Sequence, residues 1–320
     1  MFSLDVLIPD FKLGGGEALT RRFVEYLVAS ESRVNVRVYS QQKADLCGVS
    51  ETICRSWKTS FFFYFLKKFR NHRPTLVVLT GPILIYGLSR KKSNVYLYEH
   101  GDPFVLVSLE KSRLRSMLYK RAIKNAKQLI VVNPAVKEKF LNHFSLDTNK
   151  VAVVENPVKP ITSNACFFNS KAVASKFGAI VIGRSSPEKR LEFGLQFLKD
   201  QSQTITNIVL VSDTSDFDRA GVASYRSYDS LPRLDVSQYI LFNFSYSETF
   251  SLVIGEWLAA GGLVCSVACP QMISLWSQYR GFFVIGAGVD VERLLQPDGR
   301  PVFHGRCDAE YGMELLGILS

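Results

Sequence analysis

Two glutamates frame an apolar stretch in the second half of the chain. Glu248 precedes "TFSLVIGEWLAAGG" and Glu256 lies within it. A carboxylate accepts hydrogen bonds from paired hydroxyls, and burying one is costly unless its oxygens are satisfied. The pattern predicts a helix from about Ser251, so the two carboxylates would stand on either side of a helix N-terminus, which favours anions. Two glutamates in this arrangement could hold polyols on either side of a phosphate. An exposed Glu248 and a helix-start acid at Glu256 are the purely structural alternative.

A second cluster is cationic. Arg184 follows the predicted strand "AIVIG", and Lys189 stands five residues later, before a helix predicted to begin at Leu191. Helix N-termini favour acids, so basic residues here need another reason, and an anionic ligand supplies one. Guanidinium and ammonium groups offer charge-assisted hydrogen bonds to a diphosphate. Solvated surface charge is the alternative explanation for the same residues.

A glycine-rich turn connects the first predicted strand to a helix. Gly14, Gly15 and Gly16 are consecutive, which lets the backbone approach a ligand closely, and the helix start offers N–H groups to an anion. The turn does not have the GxGxxG spacing of the dinucleotide fingerprint. A strand-to-helix turn with a purely structural role would accept the same glycines.

These clusters lie between strands and helices that alternate in both halves of the chain. Apolar strands such as "LDVLIP", "TLVVLT" and "QLIVVN" are separated by helices, and the pattern restarts at "AIVIGR". Such alternation predicts parallel sheets covered by helices on both faces. The sequence therefore predicts an α/β protein of two Rossmann-like, doubly wound domains facing across a cleft, residues 1–165 and 166–320, with the ligand at the carboxyl edges of the strands.

The positive charge is concentrated in the first half. Residues 1–160 contain 26 Lys and Arg against 13 Asp and Glu, a net +13, whereas the rest contains 13 against 16, a net −3. This asymmetry indicates an anionic partner, either a nucleic acid or an acidic membrane surface. The basic, aromatic segment 55–73 is typical of a helix in a membrane interface, although a helix that covers a sheet would carry the same apolar residues.

The cysteine spacing, the apolar runs and the first residues of the sequence indicate the cellular compartment. The six cysteines and four histidines lack the spacing of a zinc site, and reduced thiols fit a cytoplasmic protein. The longest apolar run, residues 75–88, is broken by Gly81 and Pro82 and falls short of the roughly 18 residues of a spanning helix. The first residues lack the basic start of a secretory signal. We expect a cytoplasmic protein, with peripheral contact at the inner face of the cell membrane through 55–73.

Taken in order, these motifs resemble the retaining glycosyltransferases of the GT4 family, which have the GT-B fold. The ordered set comprises "GGGE", "YEHGDPF", "QLIVVNPAVKEKF", "VAVVENPV", "IGRSSPEKR" and the two glutamates with seven residues between them. The resemblance implies that Arg184 and Lys189 bind the donor diphosphate. It implies further that Glu256 binds the nucleotide ribose and that Glu248 meets the hydroxyls of the transferred sugar.

The resemblance also assigns residues around these four. His100 would position the sugar or its departing phosphate. The remaining donor-binding residues would be Gly14, Gly15, Gly16, Thr249, Phe250, Ser251 and Leu252. The chain departs from the family at Thr249, Ser251 and Arg190, where glycines are usual, and at Leu263, where a proline is common. Larger side chains at these positions would crowd the pocket of the donor sugar.

The implied activity is transfer of a sugar from a nucleotide-diphosphate donor, a UDP-sugar, to a hydroxyl of a glycan or lipid-linked acceptor in bacterial surface polysaccharide synthesis. No cofactor and no metal are expected, because Arg184 and Lys189 would neutralise the leaving diphosphate. Asp216 and Asp218 could suggest a metal motif, but a turn explains them as well.

A nucleotide-sugar epimerase or phosphorylase on the same fold is one alternative function. A non-enzymatic nucleic-acid-binding protein is another, although no DNA- or RNA-binding motif accompanies the charge, so no nucleic-acid partner is expected.

Overall fold

The computed structural model divides the chain into two compact units, Met1–Pro157 with Cys307–Ser320, and Val158–Arg306. Each unit is built on one parallel sheet. The residues described below are 2–8, 15–30, 34–40, 46, 48–53, 73–79, 94–106, 112–159, 177–201, 205–214, 221–226, 236, 238–285 and 299–319. Of the described helices, none is both long and apolar enough to cross a membrane.

The first unit contains a seven-stranded sheet in the order β3-β2-β1-β4-β5-β6-β7. Its strands are β1 (Phe2–Leu7), β2 (Val34–Ser40), β3 (Ser50–Ile53), β4 (Thr75–Leu79), β5 (Val95–Glu99), β6 (Gln128–Val131) and β7 (Val151–Val153). All neighbouring pairs are parallel. Every residue of β4 and β5 is buried, as expected of central strands covered on both faces. The order reverses between β1 and β4, and the carboxyl edge at such a point is where α/β folds bind ligands.

The second unit contains a six-stranded parallel sheet in the order β10-β9-β8-β11-β12-β13. Its strands are β8 (Phe177–Ile182), β9 (Ile205–Val211), β10 (Val222–Tyr225), β11 (Tyr239–Asn243), β12 (Leu263–Ser266) and β13 (Phe282–Val284). Here the order reverses between β8 and β11, which pair directly, with Tyr239 opposite Gly178 and Phe242 opposite Val181. Two doubly wound parallel sheets confirm the predicted fold class.

Helices cover these sheets. The described ones are α1 (Gly15–Ala29), α2 (Pro103–Leu106), α3 (Arg113–Asn125), α4 (Pro134–Phe144), α5 (Leu191–Asp200), α6 (Leu252–Ala259), α7 (Pro270–Trp276) and α8 (Asp308–Leu319). Local sequence explains several starts. The Asn133 side chain accepts a hydrogen bond from the Ala135 N–H ahead of α4, which has proline at its first position, and Ser112 caps α3 in the same way.

The end of the chain belongs to the first unit. Tyr311 of α8 is fully buried, its hydroxyl lies 2.8 Å from that of Tyr98, and its ring packs edge-to-face on Phe23 of α1. The predicted boundary between residues 165 and 166 lies outside the described residues. By their contacts, residues Val158–Arg306 form the second unit, and residues Cys307–Ser320 belong to the first unit. Two continuous domains therefore do not describe this chain, because α8 buries its apolar face against α1 and β5.

Candidate functional site

The reversal point of the second sheet brings together two residues that the sequence predicted as ligands. Lys189 ends a short 3-10 turn, Pro187–Lys189, after β8, and Glu248 lies five residues beyond β11. The Lys189 ammonium donates a hydrogen bond to Glu248 Oε1. The Ser245 hydroxyl donates to the same oxygen at 3.2 Å. With side chains only 18% and 14% exposed, Lys189 and Glu248 form a mostly buried ion pair at the carboxyl edge.

Backbone contacts fix the loops that carry this pair. The Tyr246 N–H donates to the Glu188 carbonyl at 3.1 Å and so joins the loops after β8 and β11. The Ser185 N–H donates to Asp213 Oδ1 at 2.7 Å, which adds the loop after β9. This hydrogen bond lowers the pKa of Asp213 below its usual range. The exposed Arg184 directly precedes Ser185, so it stands at the same edge as Lys189.

The start of α6 completes the predicted cluster. Its first backbone N–H groups have no acceptor inside the helix and are suited to an anion. Glu256 is the fifth residue of α6, about one turn into the helix as the sequence predicted, and it is partly exposed. Phe250 is different, because its buried ring packs edge-to-face on Trp276 and its carbonyl accepts from the Trp276 indole N–H at 2.9 Å. Its side chain is therefore core, whereas Thr249, Ser251 and Leu252 are partly exposed.

Two positions where the resemblance expects glycine have left-handed backbone. Arg190 has φ 51° and precedes α5, and Ser251 has φ 55° and precedes α6. This conformation costs a residue with a Cβ roughly 1–2 kcal/mol, which gives a physical reason for the glycines. The Arg190 guanidinium lies over the half-exposed Phe193 ring, 4.1 Å from its centroid. The charge of Arg190 is thus held on α5 by an aromatic ring.

In the first unit, the glycine turn and His100 are in contact. A Cβ built on Gly16 would lie 2.8 Å from His100 Cδ2, so the imidazole occupies the space that a side chain would need. The His100 ring centroid is 3.9 Å from that of Tyr98, and both ring nitrogens are buried. Burial lowers the pKa of His100 to about 3, so the imidazole is neutral at physiological pH. Gly15 is the first residue of α1, and Gly14 lies outside the described residues.

Glu99 is a buried acid that sequence reasoning missed. It ends β5, is 4% exposed and accepts a hydrogen bond from the Gly101 N–H at 3.0 Å. Burial, followed by the nearby Asp102 carboxylate, raises the pKa of Glu99 to about 8 although the Gly101 bond opposes this. Asp102 has a structural role, since it accepts from Lys139 at 2.7 Å and from the Phe104 N–H at 3.0 Å. The signal available in the sequence was a carboxylate beside His100 at a strand end.

Other expectations fall on residues that the structure does not describe. These are the segment 55–73, except Arg73, and the pair Asp216 and Asp218. Sequence reasoning also missed Ser245 and Asp213 as parts of the edge. Both follow strands that the sequence did predict, so the position after a strand was the signal that would have found them.

Comparison with known proteins agrees with this architecture. Residues 13–160 match the family model Glycosyltransferase Family 4. No curated protein matches the chain. Among solved structures, the chain is similar to the apo form of the lipopolysaccharide outer core galactosyltransferase WaaB (TM-score 0.65, 15% identity, 92% of this chain and 88% of that one).

Two further structures cover the whole of this chain. Anabaena HepE in complex with UDP and glucose has a TM-score of 0.69 and 13% identity, with 99% of its own chain covered. Sucrose-phosphate synthase from Thermosynechococcus elongatus has a TM-score of 0.63 and 15% identity, with 95% covered. Identities this low show the fold, and the family model matches residues 13–160, a little under half of the chain. The Glycosyltransferase Family 4 model over residues 13–160 and the fold of these neighbours together support a glycosyltransferase with the GT-B fold.

Proposed function

We propose that this glycosyltransferase moves a sugar, with retention of anomeric configuration and without a metal, from a UDP-sugar to a hydroxyl of a glycan or lipid-linked acceptor in surface polysaccharide synthesis. The observation that carries the proposal is the Lys189–Glu248 pair at the reversal point of the second sheet. Such a point is the usual ligand site of doubly wound folds. An ammonium and a carboxylate side by side match a ligand that presents a phosphate next to hydroxyls.

Each residue has a distinct part in this chemistry. Lys189 and Arg184 neutralise the diphosphate as its bond to the sugar breaks, together with the N–H groups at the start of α6. Lys189 and Ser245 both donate hydrogen bonds to Oε1 of Glu248, and we assign the other oxygen, Oε2, to a sugar hydroxyl. Glu256, one turn into α6, is assigned to the ribose. The two cations, Lys189 and Arg184, take the role that a metal plays in other transferases, which supports metal independence.

The first unit contributes backbone and a neutral side chain. As the resemblance implies, we assign Gly14, Gly15 and Gly16 to donor binding. His100 is neutral at physiological pH, so it serves as a hydrogen-bonding group for the sugar or the departing phosphate rather than as a cation.

The identities of donor and acceptor are supported by the described neighbours. HepE is described in complex with UDP and glucose and, in another structure, with UDP-glucose. WaaB is described as a lipopolysaccharide galactosyltransferase and WaaG as involved in lipopolysaccharide biosynthesis. Retention is the stereochemistry of the family that the motifs resemble.

The test begins with the ligand. UDP, GDP and ADP sugars are screened for thermal stabilisation, since a ligand that binds only the folded state raises apparent stability, and we expect a UDP-sugar to give the largest shift. Transfer to glycan and lipid-linked acceptors is then followed by NMR, with EDTA present. An α-linked product from an α-linked donor supports the proposal. Inverted product, loss of activity in EDTA with rescue by Mg²⁺, or conversion of the donor without acceptor would contradict it.

A further inference from the structure

A series of hydrogen bonds runs from the end of β12 to the Glu248 carboxylate. Asn243 and Ser266 are the last residues of β11 and β12 and lie opposite each other in the parallel pairing. The Asn243 side-chain amide donates to Ser266 Oγ at 3.2 Å, and Asn243 Oδ1 accepts from the Ser245 N–H at 3.3 Å. The Ser245 hydroxyl in turn donates to Glu248 Oε1. Groups from two neighbouring strand ends therefore set the position of one hydroxyl on this carboxylate.

Burial restrains the members of this series. Ser245 and Ser266 are 1% and 0% exposed. The Ser266 hydroxyl also donates to the Val267 carbonyl at 3.2 Å, so it is both a donor and an acceptor. A buried polar group is costly unless it is hydrogen-bonded, so these contacts resist rearrangement. The Ser245 hydroxyl is attached to a buried backbone through a single side-chain torsion, which leaves it little freedom to move.

Lys189 and Ser245 restrain Glu248 in different ways. The lysine ammonium is a compact charge on a flexible stem with three rotatable N–H donors, so it neutralises the carboxylate without fixing its direction. A hydroxyl on a fixed backbone is a directional donor. When Lys189 also donates to a diphosphate, the Ser245 hydrogen bond still holds Oε1. The charge of Glu248 and its orientation are therefore controlled by two different neighbours.

We propose that Ser245 is a positioning residue for sugar transfer, which holds Oε1 of Glu248 so that Oε2 faces the hydroxyls of the donor sugar. Asn243 holds Ser245 in place. This inference rests on the proposed role of Glu248 at the donor sugar, and Ser245 acts through Glu248 alone. Orientation matters because a misplacement of about 1 Å at a reacting centre can lower the rate roughly a hundredfold.

Binding of UDP and of UDP-sugars separates the orientation of Glu248 from its charge. Ser245→Ala should raise the Kd of UDP-glucose or UDP-galactose, whichever the native chain binds more tightly, about tenfold through loss of a hydrogen bond to a charged group. The Kd of UDP, which has no sugar, should change little because Lys189 is retained. Asn243→Ala, which frees the Ser245 N–H, should give a smaller loss with the same selectivity. Asn243 is partly exposed, so this variant keeps the test available if Ser245→Ala does not fold.

Thr206→Val is the matched control. The Thr206 hydroxyl donates to the Phe177 carbonyl at 3.1 Å, at the amino edge of the same sheet. Its removal deletes one hydroxyl from the second unit without touching the carboxyl edge. The Kd values of UDP and of the UDP-sugar should both stay at their native values in this variant.

A double-mutant cycle tests whether Ser245 acts through Glu248. Glu248→Ala should itself weaken binding of the UDP-sugar and lower the rate of transfer. In that background, adding Ser245→Ala should have little further effect on either quantity, because the carboxylate that Ser245 positions is gone. A serine with a purely structural role would cause the same loss in both backgrounds.

The outcomes distinguish this inference from the proposed function. Equal losses of UDP and UDP-sugar affinity in Ser245→Ala, or additive losses in the cycle, would overturn the positioning role. Native UDP-sugar binding in Ser245→Ala, with a loss in Glu248→Ala, would also overturn it while leaving the proposed function intact. Native UDP-sugar binding in Glu248→Ala would contradict the proposed role of Glu248 and, with it, the inference.

Discussion

Lys189 and Glu248 are 59 residues apart in the sequence and share a hydrogen bond at the edge of the second sheet. This pair keeps a cation and a carboxylate in place without a ligand. In the proposed site, a diphosphate that approaches Lys189 would meet a positive charge held by Glu248, so less side-chain entropy would be lost on binding than with a lysine that has no partner. Arg184 is exposed in the same loop, and in the proposed site it would contact the diphosphate from the solvent side.

The first prediction concerns these two cations. Lys189→Ala and Arg184→Ala should each weaken UDP binding by about 1.5–3 kcal/mol, the cost of one charge-assisted hydrogen bond. Binding of uridine, which lacks the diphosphate, should change little. Lys199→Ala in the last turn of α5 is the control. Calorimetry that finds UDP affinity unchanged in both variants would remove Lys189 and Arg184 from the site.

The second prediction concerns the buried acid Glu99. The native state keeps its proton up to about pH 8, whereas the unfolded chain releases it near the ordinary value of 4.5. Folding therefore takes up a proton in this window, and the free energy of unfolding falls as pH rises through it. Glu99→Gln keeps an oxygen for the Gly101 N–H and abolishes the titration. The free energy of unfolding of the Glu99→Gln variant, minus that of the native chain, should therefore rise steadily from pH 5 to about pH 8.

Urea unfolding at several pH values measures this difference. The exposed Glu138 of α4 provides the control, since Glu138→Gln replaces a surface carboxylate and should change stability little. A Glu99→Gln curve parallel to that of the native chain would mean that Glu99 ionises normally. Glu99 would then be a solvated acid rather than a buried one.

At the scale of the elements, the third prediction concerns the strained start of α6. Ser251→Gly should stabilise the protein by about 1 kcal/mol, because glycine adopts the left-handed backbone at φ 55° without a Cβ clash. Ser145→Gly, at the C-cap of α4 with φ 51°, should do the same in the first unit. Ser247 does not have a positive φ, and Ser247→Gly should destabilise. Thermal unfolding measures all three, and a loss of stability in Ser251→Gly would show that its side chain matters more than its backbone.

Most strands could be predicted from the sequence because they are apolar and buried on both faces. The strands that sequence reasoning missed, β3 and β10, are four-residue edge strands whose sequences, SETI and VASY, carry no continuous apolar run. The start of α5 at Leu191 was predicted correctly, since Pro187 and the charged residues after it mark a helix start. The pairing of Lys189 with Glu248 depends on β8 and β11 being neighbours, and local sequence carries no information about strand order.

At the scale of the whole molecule, the sequence predicted two sheets but not the path of the chain between the units. Helix α8 is apolar and short, so its pattern is that of any helix covering either sheet. What assigns it to the first unit is a set of specific contacts. These are the hydroxyl contact of Tyr311 with Tyr98 and the hydrogen bond of 3.4 Å from the Tyr96 hydroxyl to the Leu319 carbonyl. Such contacts join residues more than two hundred positions apart, which periodicity does not encode.

The last prediction tests whether the packing of α8 on α1 stabilises the first unit. Gly312 faces α1, and a Cβ there would lie 2.1 Å from Cδ1 of Tyr26, whereas a Cβ at the exposed Gly317 would meet nothing within 4 Å. Gly312→Ala should therefore destabilise by roughly 1–3 kcal/mol through overpacking. Gly317→Ala should stabilise by up to about 1 kcal/mol, because alanine favours the helix more than glycine does. Both changes add one methyl group to the same helix, so helix propensity alone would change the free energy of unfolding in the same direction for both variants. If denaturant unfolding showed that both variants have a higher free energy of unfolding than the native chain, α8 would not be packed against Tyr26. The assignment of residues 307–320 to the first unit would then fail.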